Sequence, residues 1–333
     1  MTATLYPLRF EPIYEYRLWG GRRLEHFLSA PLPGTEPVGE AWLLSDRDDH
    51  ASRVSSGKLR GMSIADLLAR WPQQMLGRLS GQFKRFPLLL KLLDVNTPLS
   101  VQVHPSAADS SLTPAGDTAK TEAWVVLQSG PEALIFAGFK SAGTQEDLRR
   151  AIRDGTVADQ LARFTPVPGD AVLIRAGTVH SLRDVVVFEV QQNSDVTFRL
   201  YDWGHVDPRT SQPRPLQVEQ AMACIDFGQG AVRPLIPRVE ATEPDFREKL
   251  IHCEQFDVTR ISGHRPFSVG RVALPRVLVC LDGSGRLVHE GEAYPVGKGD
   301  VLLLPAAVGA CSCEPQGLLH MLEIGLPDSL RAS

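Results

Sequence analysis

Two histidines, a glutamate and a glutamine stand at spacings that suit a divalent cation. Gln102, His104 and Glu122 fall in SVQVHPSAADSSLTPAGDTAKTEAW (Ser100–Trp124), and His180 follows in PGDAVLIRAGTVHSL (Pro168–Leu182). With Leu99–His104 as a strand, Ser100, Gln102 and His104 share one face and Val101 and Val103 the other. Pro105 and the run SAADSSLTPAGD force a loop. KTEAWVVL then predicts a second strand with Lys120, Glu122 and Trp124 on one face. Each of these residues alone also fits an amphipathic strand with a solvated polar side. The third segment raises the set to a candidate site: a Gly-Asp turn, an apolar strand, an Ala-Gly-Thr turn and then His180, the order found in a metal-bearing small barrel. Two histidines and a carboxylate suit zinc with an open coordination position. By ligand softness alone the same donors accept Mn, Fe, Co or Ni.

The elements that must position these donors are mainly strands. GEAWLLSD reads as one, and FPLLLKLLDV as another, buried on both faces and interrupted only by Lys91, which must snorkel, pair or line a cavity. VVVFEVQQNSDVTFRLYDW reads as a long β segment in which Glu189, Gln191, Asp195, Thr197 and Arg199 share parity unless a bulge intervenes at Asn193-Ser194. Three helices are predicted. The first is a short insert between Ser63 and Leu79, N-capped by Ser63 and ended by Pro72. The second covers Thr144–Gly155, with Thr144 as cap, and the third lies around Val218–Ile225. From Gly228 the chain turns Pro- and Gly-containing, which marks a boundary near residue 230. Short strands with a DGSG hairpin turn follow. Gly299-Asp300 repeats Gly169-Asp170 at an offset of 130 residues, which places Ala310 where His180 stands. The expected organisation is two domains, 1–230 with a helical insert around 59–85, and 231–333 as a β domain without metal ligands.

A length of 333 residues, 43% hydrophobic and 22% charged, describes a globular protein with a real core. The formal charge of −4 argues against a nucleic-acid partner. No run of about 18 apolar residues is present to span a membrane. MTATLYPLRFEPIYEYRLWGG lacks the pattern of a signal peptide, so the expected location is cytoplasmic. The five cysteines include no CxxC pair and read as free, mostly buried thiols, which leaves any metal site to oxygen and nitrogen donors. His26, His50, His205, His252, His264, His289 and His320 have no partners at ligand spacing and read as structural or surface residues.

The segments LWGGRRL, GEAWLLSD, FPLLLKLLDV with LSVQVHPSAAD, KTEAWVVL, AGTVHSL and EVQQNSDVTFRLYDW, in this order, resemble the short bacterial form of the type I mannose-6-phosphate isomerases, of the cupin superfamily. The resemblance implies a fold of tandem cupin-like β-barrels (jelly rolls) with a small helical insert, the second barrel degenerate. It implies Gln102, His104, Glu122 and His180 as ligands of one zinc ion per chain, with Trp19, Glu40, Lys91, Lys120, Glu189, Asp195 and Arg199 around the same cavity. The implied reaction interconverts mannose 6-phosphate and fructose 6-phosphate by proton transfer through an enediolate, which needs a base near C1 and C2 and positive charge near O1 and O2. Arg199 is the candidate clamp for phosphate or enediolate, and Asp195 a candidate to orient it or assist ring opening. Ser100 is a candidate phosphate or hydroxyl contact. Lys120, beside a cation that would depress its pKa, and Glu189 are the candidate bases. The expected partner is a small sugar phosphate and the expected assembly a monomer or weak homodimer. Two other classes stay open: a sugar-phosphate sensor without turnover, and an Fe(II) cupin oxygenase, against which Gln102 and the lack of an HxD or HxE pair weigh.

Overall fold

The computed structural model describes residues 5–327. Its architecture is mainly β, the two tandem cupin-like barrels expected from the sequence, with few and short helices. Among the described residues no helix is long and apolar enough to cross a membrane.

The first barrel is a nine-stranded sheet curled on itself. Its path runs Phe198–Tyr201, Val101–Val103, His180–Gln192, Leu88–Val95, Glu40–Leu44, Ile13–Glu15, all antiparallel. The 18-residue strand Glu122–Phe139 pairs with His180–Gln192 and also with Ala171–Ile174 and Leu161–Phe164, which closes the curl. Leu88–Val95 is buried along its whole length, including Lys91 and Asp94. Each polar exception is answered. Asp94 accepts Arg23 N and Nε at 2.6 and 2.8 Å, tying the N-terminal segment to the barrel wall, and Lys91 faces the cavity described below.

The local capping signals act as their chemistry dictates. Ser63 caps Ile64–Arg70 in a reciprocal box with Asp66, and Thr144 caps Gln145–Arg153 in the same way with Asp147. Pro72 does end the first helical run, but it also starts a second helix, Pro72–Leu76, because the first helical position needs no amide hydrogen. This insert docks on the C-terminal half: Ala306 N and Ala307 N donate to Met75 O and Gln74 O, and Arg78 N donates to Ala273 O.

The C-terminal half pairs a seven-stranded sheet with a four-stranded one. The edge strand of the larger sheet comes from the other end of the chain, Leu8–Arg9 pairing with Val301–Leu304. One apolar cluster runs through both barrels, from Leu90, Val125 and Phe188 to Val258, Leu278 and Leu322, so the two halves share a core.

The two barrels also share a device in detail. Gly169 N and Asp170 O bond the main chain of Val126, while Gly299 N and Asp300 O bond that of Cys280 in the same pattern. Asp170 accepts Val167 N at 2.9 Å, as Asp300 accepts Gly297 N at 2.8 Å. Stepping four residues back from each anchor, Glu122 pairs with Ile174 and Arg276 with Leu304. His180 pairs with Gln102, and Ala310 with Gly270. Where the first barrel carries Gln102, Glu122 and His180, the second therefore carries Gly270, Arg276 and Ala310. The Arg276 guanidinium lies over Gly325, where any Cβ would come within 2.6 Å of Cζ, and its Nε is 3.7 Å from Glu323.

Candidate active site

Register brings the polar residues of the first barrel together in two rows. Across one part of the sheet Trp42 pairs with Lys91, Lys91 with Glu189, and Glu189 with Trp124. Across another, His180 pairs with Gln102 and Gln102 with Arg199. His180 and Glu189 are nine residues apart and would face opposite sides of an ideal strand. The irregularity at Asp184, with φ of 50°, lets both turn inward. Asp184 is anchored there by Glu132 N and Arg23 Nη1, each at 2.9 Å.

His104, Glu122 and His180 are fully buried and form one cluster, with a ligand atom of each inside 4.8 Å of the others. His104 Nδ1 lies 2.9 Å from Val196 O, and His180 Nδ1 lies 2.9 Å from Thr178 O. A carbonyl only accepts, so both Nδ1 atoms carry hydrogen, and each neutral ring turns an Nε2 lone pair toward Glu122. Burial and then the Lys120 ammonium push His104 down to about 3, and burial lowers His180, so both rings are neutral at pH 7. Burial opposes ionisation of Glu122, yet the Lys120 ammonium outweighs it and holds its carboxyl well below the ordinary range.

The separations are 3.1 Å from His104 Nε2 to Glu122 Oε2, 3.4 Å from His180 Nε2 to Glu122 Oε1, and 3.0 Å from Lys120 Nζ to Glu122 Oε2. Close as they are, buried His104 Nε2 and Glu122 Oε2 make no hydrogen bond. Glu122 Oε2 meets the Lys120 ammonium, but the His104 Nε2 lone pair is buried without a donor and faces a carboxylate, which is costly without an electrophile between them. Their spacing matches the edges of a tetrahedron around an ion with bonds of about 2.0–2.1 Å. The donor set thus fits a divalent cation. Gln102 Nε2 stands 3.2 Å from His180 Nε2, and Ser100 Oγ is 3.0 Å from Gln102 Oε1. A half-turn of the amide gives Oε1 to the cluster and Nε2 to Ser100, whose hydroxyl accepts as well as donates. Ser100 is itself fully buried behind Gln102 and does not reach the cavity wall.

In front of the cluster opens a cavity of about 290 Å³, lined among others by Trp19, Glu40, Lys91, Gln102, Lys120, Glu122, Glu189, Asp195 and Arg199. Lys91 is an almost fully enclosed charge, with Asp195 Oδ1 at 3.1 Å, Glu40 at 3.8 Å, Glu189 at 3.9 Å and the Trp42 ring centroid at 4.6 Å. Burial alone would discharge this ammonium, but Asp195, Glu40 and Glu189 outweigh it and raise its pKa. Asp195 in turn falls to about 2, burial being overcome by Lys91 and Lys120. Glu189 goes the other way: burial and then the Glu122 charge push it up to about 7, with Trp124 Nε1 donating to its Oε2 at 2.9 Å. Two carboxylates in one cavity are thereby pushed in opposite directions.

Sequence reasoning missed several residues of this cavity. Arg17 clamps Glu40 with Nε and Nη2, each 3.1 Å from a carboxylate oxygen, and Trp42 Nε1 donates to Glu40 at 2.7 Å. Arg214, Tyr16 and Asp207 also line the wall. None has a motif. They arrive by tertiary folding from loops, and only the alternation placing Trp42 beside Glu40 was open to reading. Of the histidines read as structural or surface, His50 pairs with Glu15 at 3.0 Å and His252 with Asp257 at 2.5 Å, away from the cluster. All five cysteines are free and buried.

The family model described as phosphomannose isomerase type I, catalytic domain, matches residues 8–123. The protein named "Probable mannose-6-phosphate isomerase GmuF" from Bacillus subtilis is 34% identical over 317 residues, which is 93% of this chain and 96% of that protein. Mannose-6-phosphate isomerase ManA of the same organism is 32% identical, with 93% and 96% covered. A crystal structure of the mannose 6-phosphate isomerase from Bacillus subtilis superposes with a TM-score of 0.87 at 27% identity, covering 96% of this chain and 99% of that one. A phosphomannose isomerase from Salmonella typhimurium shares the fold, with a TM-score of 0.77 at 16% identity and 96% and 100% covered. With relatives this similar along nearly its whole length, the chain belongs to the type I phosphomannose isomerase family.

Proposed function

We propose that this protein interconverts mannose 6-phosphate and fructose 6-phosphate, using one zinc ion per chain held by Gln102, His104, Glu122 and His180. The observation that carries the reading is the convergence of two imidazole lone pairs and the Glu122 carboxylate beside a second carboxylate, Glu189, poised at about 7. On this reading residues 1–230 carry the chemistry and 231–333 form a barrel without metal ligands.

The cation, when bound, supplies positive charge at O1 and O2 of the open-chain sugar. This chain's residues do the rest. Glu189, as carboxylate, takes the proton from C2 of the aldose and returns it to C1. A pKa near the working pH makes both transfers feasible. The hydroxyl proton moves from O2 to O1 in the same conversion, and Lys120, fixed 3.0 Å from Glu122, is the cavity-lining donor assigned to it. Arg199 faces the developing enediolate charge. Among the described residues its guanidinium has no carboxylate within ion-pair distance, and its buried Nε has no hydrogen-bond partner. Asp195, Glu40 and Lys91 form a charge-balanced wall that orients sugar hydroxyls, and Trp19 bounds it.

The test is metal content measured alongside turnover of mannose 6-phosphate, before and after chelation and with Zn²⁺ restored. Activity that disappears and returns with about one zinc per chain is the expected result. Bound metal without isomerisation would overturn the reaction, and Fe(II) as the activating ion would overturn the zinc assignment.

A further inference from the structure

Residues 193–197 leave the sheet between His180–Gln192 and Phe198–Tyr201 and carry the Asp195 carboxylate to Lys91. That carboxylate has room to go elsewhere. Asp195 lines the cavity of about 290 Å³ on one side and a second of about 360 Å³ on the other, whose wall includes Arg17, Trp42, Arg47 and His50. Its side chain is 40% exposed, against 4% for Lys91, so burial does not decide between the two. Lys91 offers a cation in the first cavity, and Arg47 offers one in the second. The backbone therefore has to fix the place of the carboxylate.

The chain leading to Asp195 is tied at each step. Asn193 N donates to Pro87 O at 2.9 Å, and Asn193 Nδ2 donates to Asp46 O at 3.0 Å. Ser194 is fully buried, and its carbonyl accepts Gln191 Nε2. Donors from two loops then meet on one atom, Asp117 Oδ1: Arg47 Nη1 at 2.7 Å, Asp195 N at 3.0 Å and Ser194 Oγ at 3.1 Å. Arg47 Nη1 also donates to Asn193 O at 3.2 Å. The Asp117 and Arg47 side chains are 12% and 20% exposed, so water competes little for this charge-assisted junction. Asp117 does not line the cavity that holds Lys91, and it reaches Asp195 only through the main chain. Its loss has two effects with one direction. Asp195 N gives up its acceptor, and Arg47 gives up its carboxylate and becomes a competitor for that of Asp195.

We infer that Asp117, paired with Arg47, is the positioning residue that keeps Asp195 against Lys91 in the first cavity and out of the second. The inference rests on the proposed reaction. A double-mutant cycle in the metal-loaded enzyme tests it: Asp117→Ala, Asp195→Asn and the two together, each assayed for kcat/KM on mannose 6-phosphate, with metal content and a melting curve as controls. Asp117→Ala lowers kcat/KM roughly 10- to 100-fold, the scale of a cavity group displaced by about 1 Å, with metal retained. In the Asp195→Asn background the same change costs less than about twofold, because no carboxylate is left to hold. Asp117→Asn keeps an acceptor for Asp195 N without the ion pair to Arg47, so its kcat/KM falls between those of the parent and Asp117→Ala, and it takes the place of the Ala variant if that does not fold. Losses that multiply in the double variant, or an Asp117→Ala enzyme with the parent kcat/KM, overturn the positioning role alone. If Asp195→Asn has no measurable turnover, the same cycle on the Kd of mannitol 6-phosphate, which cannot isomerise, decides by the same criterion. An unmodified enzyme that does not turn over mannose 6-phosphate overturns the reaction beneath it.

Discussion

His104 Nε2 and Glu122 Oε2 stand 3.1 Å apart in the interior, and neither makes a hydrogen bond. Two buried acceptors held face to face describe a socket shaped for a cation, and the outer nitrogen of each histidine is fixed by a backbone carbonyl.

His104→Ala should therefore lose metal and turnover together while the barrel stays folded. Elemental analysis, activity and a melting curve on the same sample check it. Turnover that persists without metal would remove these residues from the chemistry.

Glu189 gives a pH prediction with a definite sign. Its active form is the carboxylate, so kcat/KM should rise with pH through its pKa, about 7 in the metal-free protein. A bound cation offsets the Glu122 charge, part of what raises that pKa, so the limb of the loaded enzyme falls below that value. Trp124→Phe removes the donor on Glu189 Oε2 and should move the limb up by about one unit. A limb unmoved by this change would take Glu189 out of proton transfer.

Lys91 neutralises two enclosed carboxylates, Glu40 and Glu189, and the more exposed Asp195. Lys91→Met keeps the volume and removes the charge, leaving like charges facing each other in the interior. A loss of about 3–5 kcal/mol is expected by denaturant titration, with turnover reduced more than stability alone explains. A variant as stable as the parent would mean that the carboxylates protonate without cost.

A fourth change lies far from the cavity. Gly77 has φ of 58°, and a Cβ there would come within 2.2 Å of Ala273 O, where the helical insert meets the C-terminal half. Gly77→Ala should lower stability by about 2–4 kcal/mol and leave kcat at low temperature unchanged. A melting curve and an initial-rate assay separate the two effects.

Much of the cluster was legible because it lies on strands, where alternation fixes which residues share a face. Gln102 with His104 is the plain case. Glu122 opens its strand, so Lys120 reaches the site from the preceding loop and not along the same pleat. Asp195 follows no parity at all. The chain leaves the sheet between Gln192 and Phe198, Asp117 holds that excursion through Asp195 N at 3.0 Å and Ser194 Oγ at 3.1 Å, and the loop delivers the carboxylate to Lys91. The switch at Asp184 that turns His180 and Glu189 to one side leaves no periodic trace. Arg17 and Arg214 act through partners that folding alone selects.

The pairing of Glu122 with Ile174 and of Arg276 with Leu304 has a consequence for how the ion and the scaffold depend on each other. The same strand frame closes once around converging acceptors and once around an arginine lying on Gly325, with an internal cation where the first has a socket. Each half thus closes on apolar packing that continues through both, so the ion is a guest of a finished vessel and not its keystone. Stripping it should behave like unplugging a tool: chemistry stops at once, the container keeps its form, and refilling needs no refolding, unlike small domains whose shape exists only while their zinc is bound.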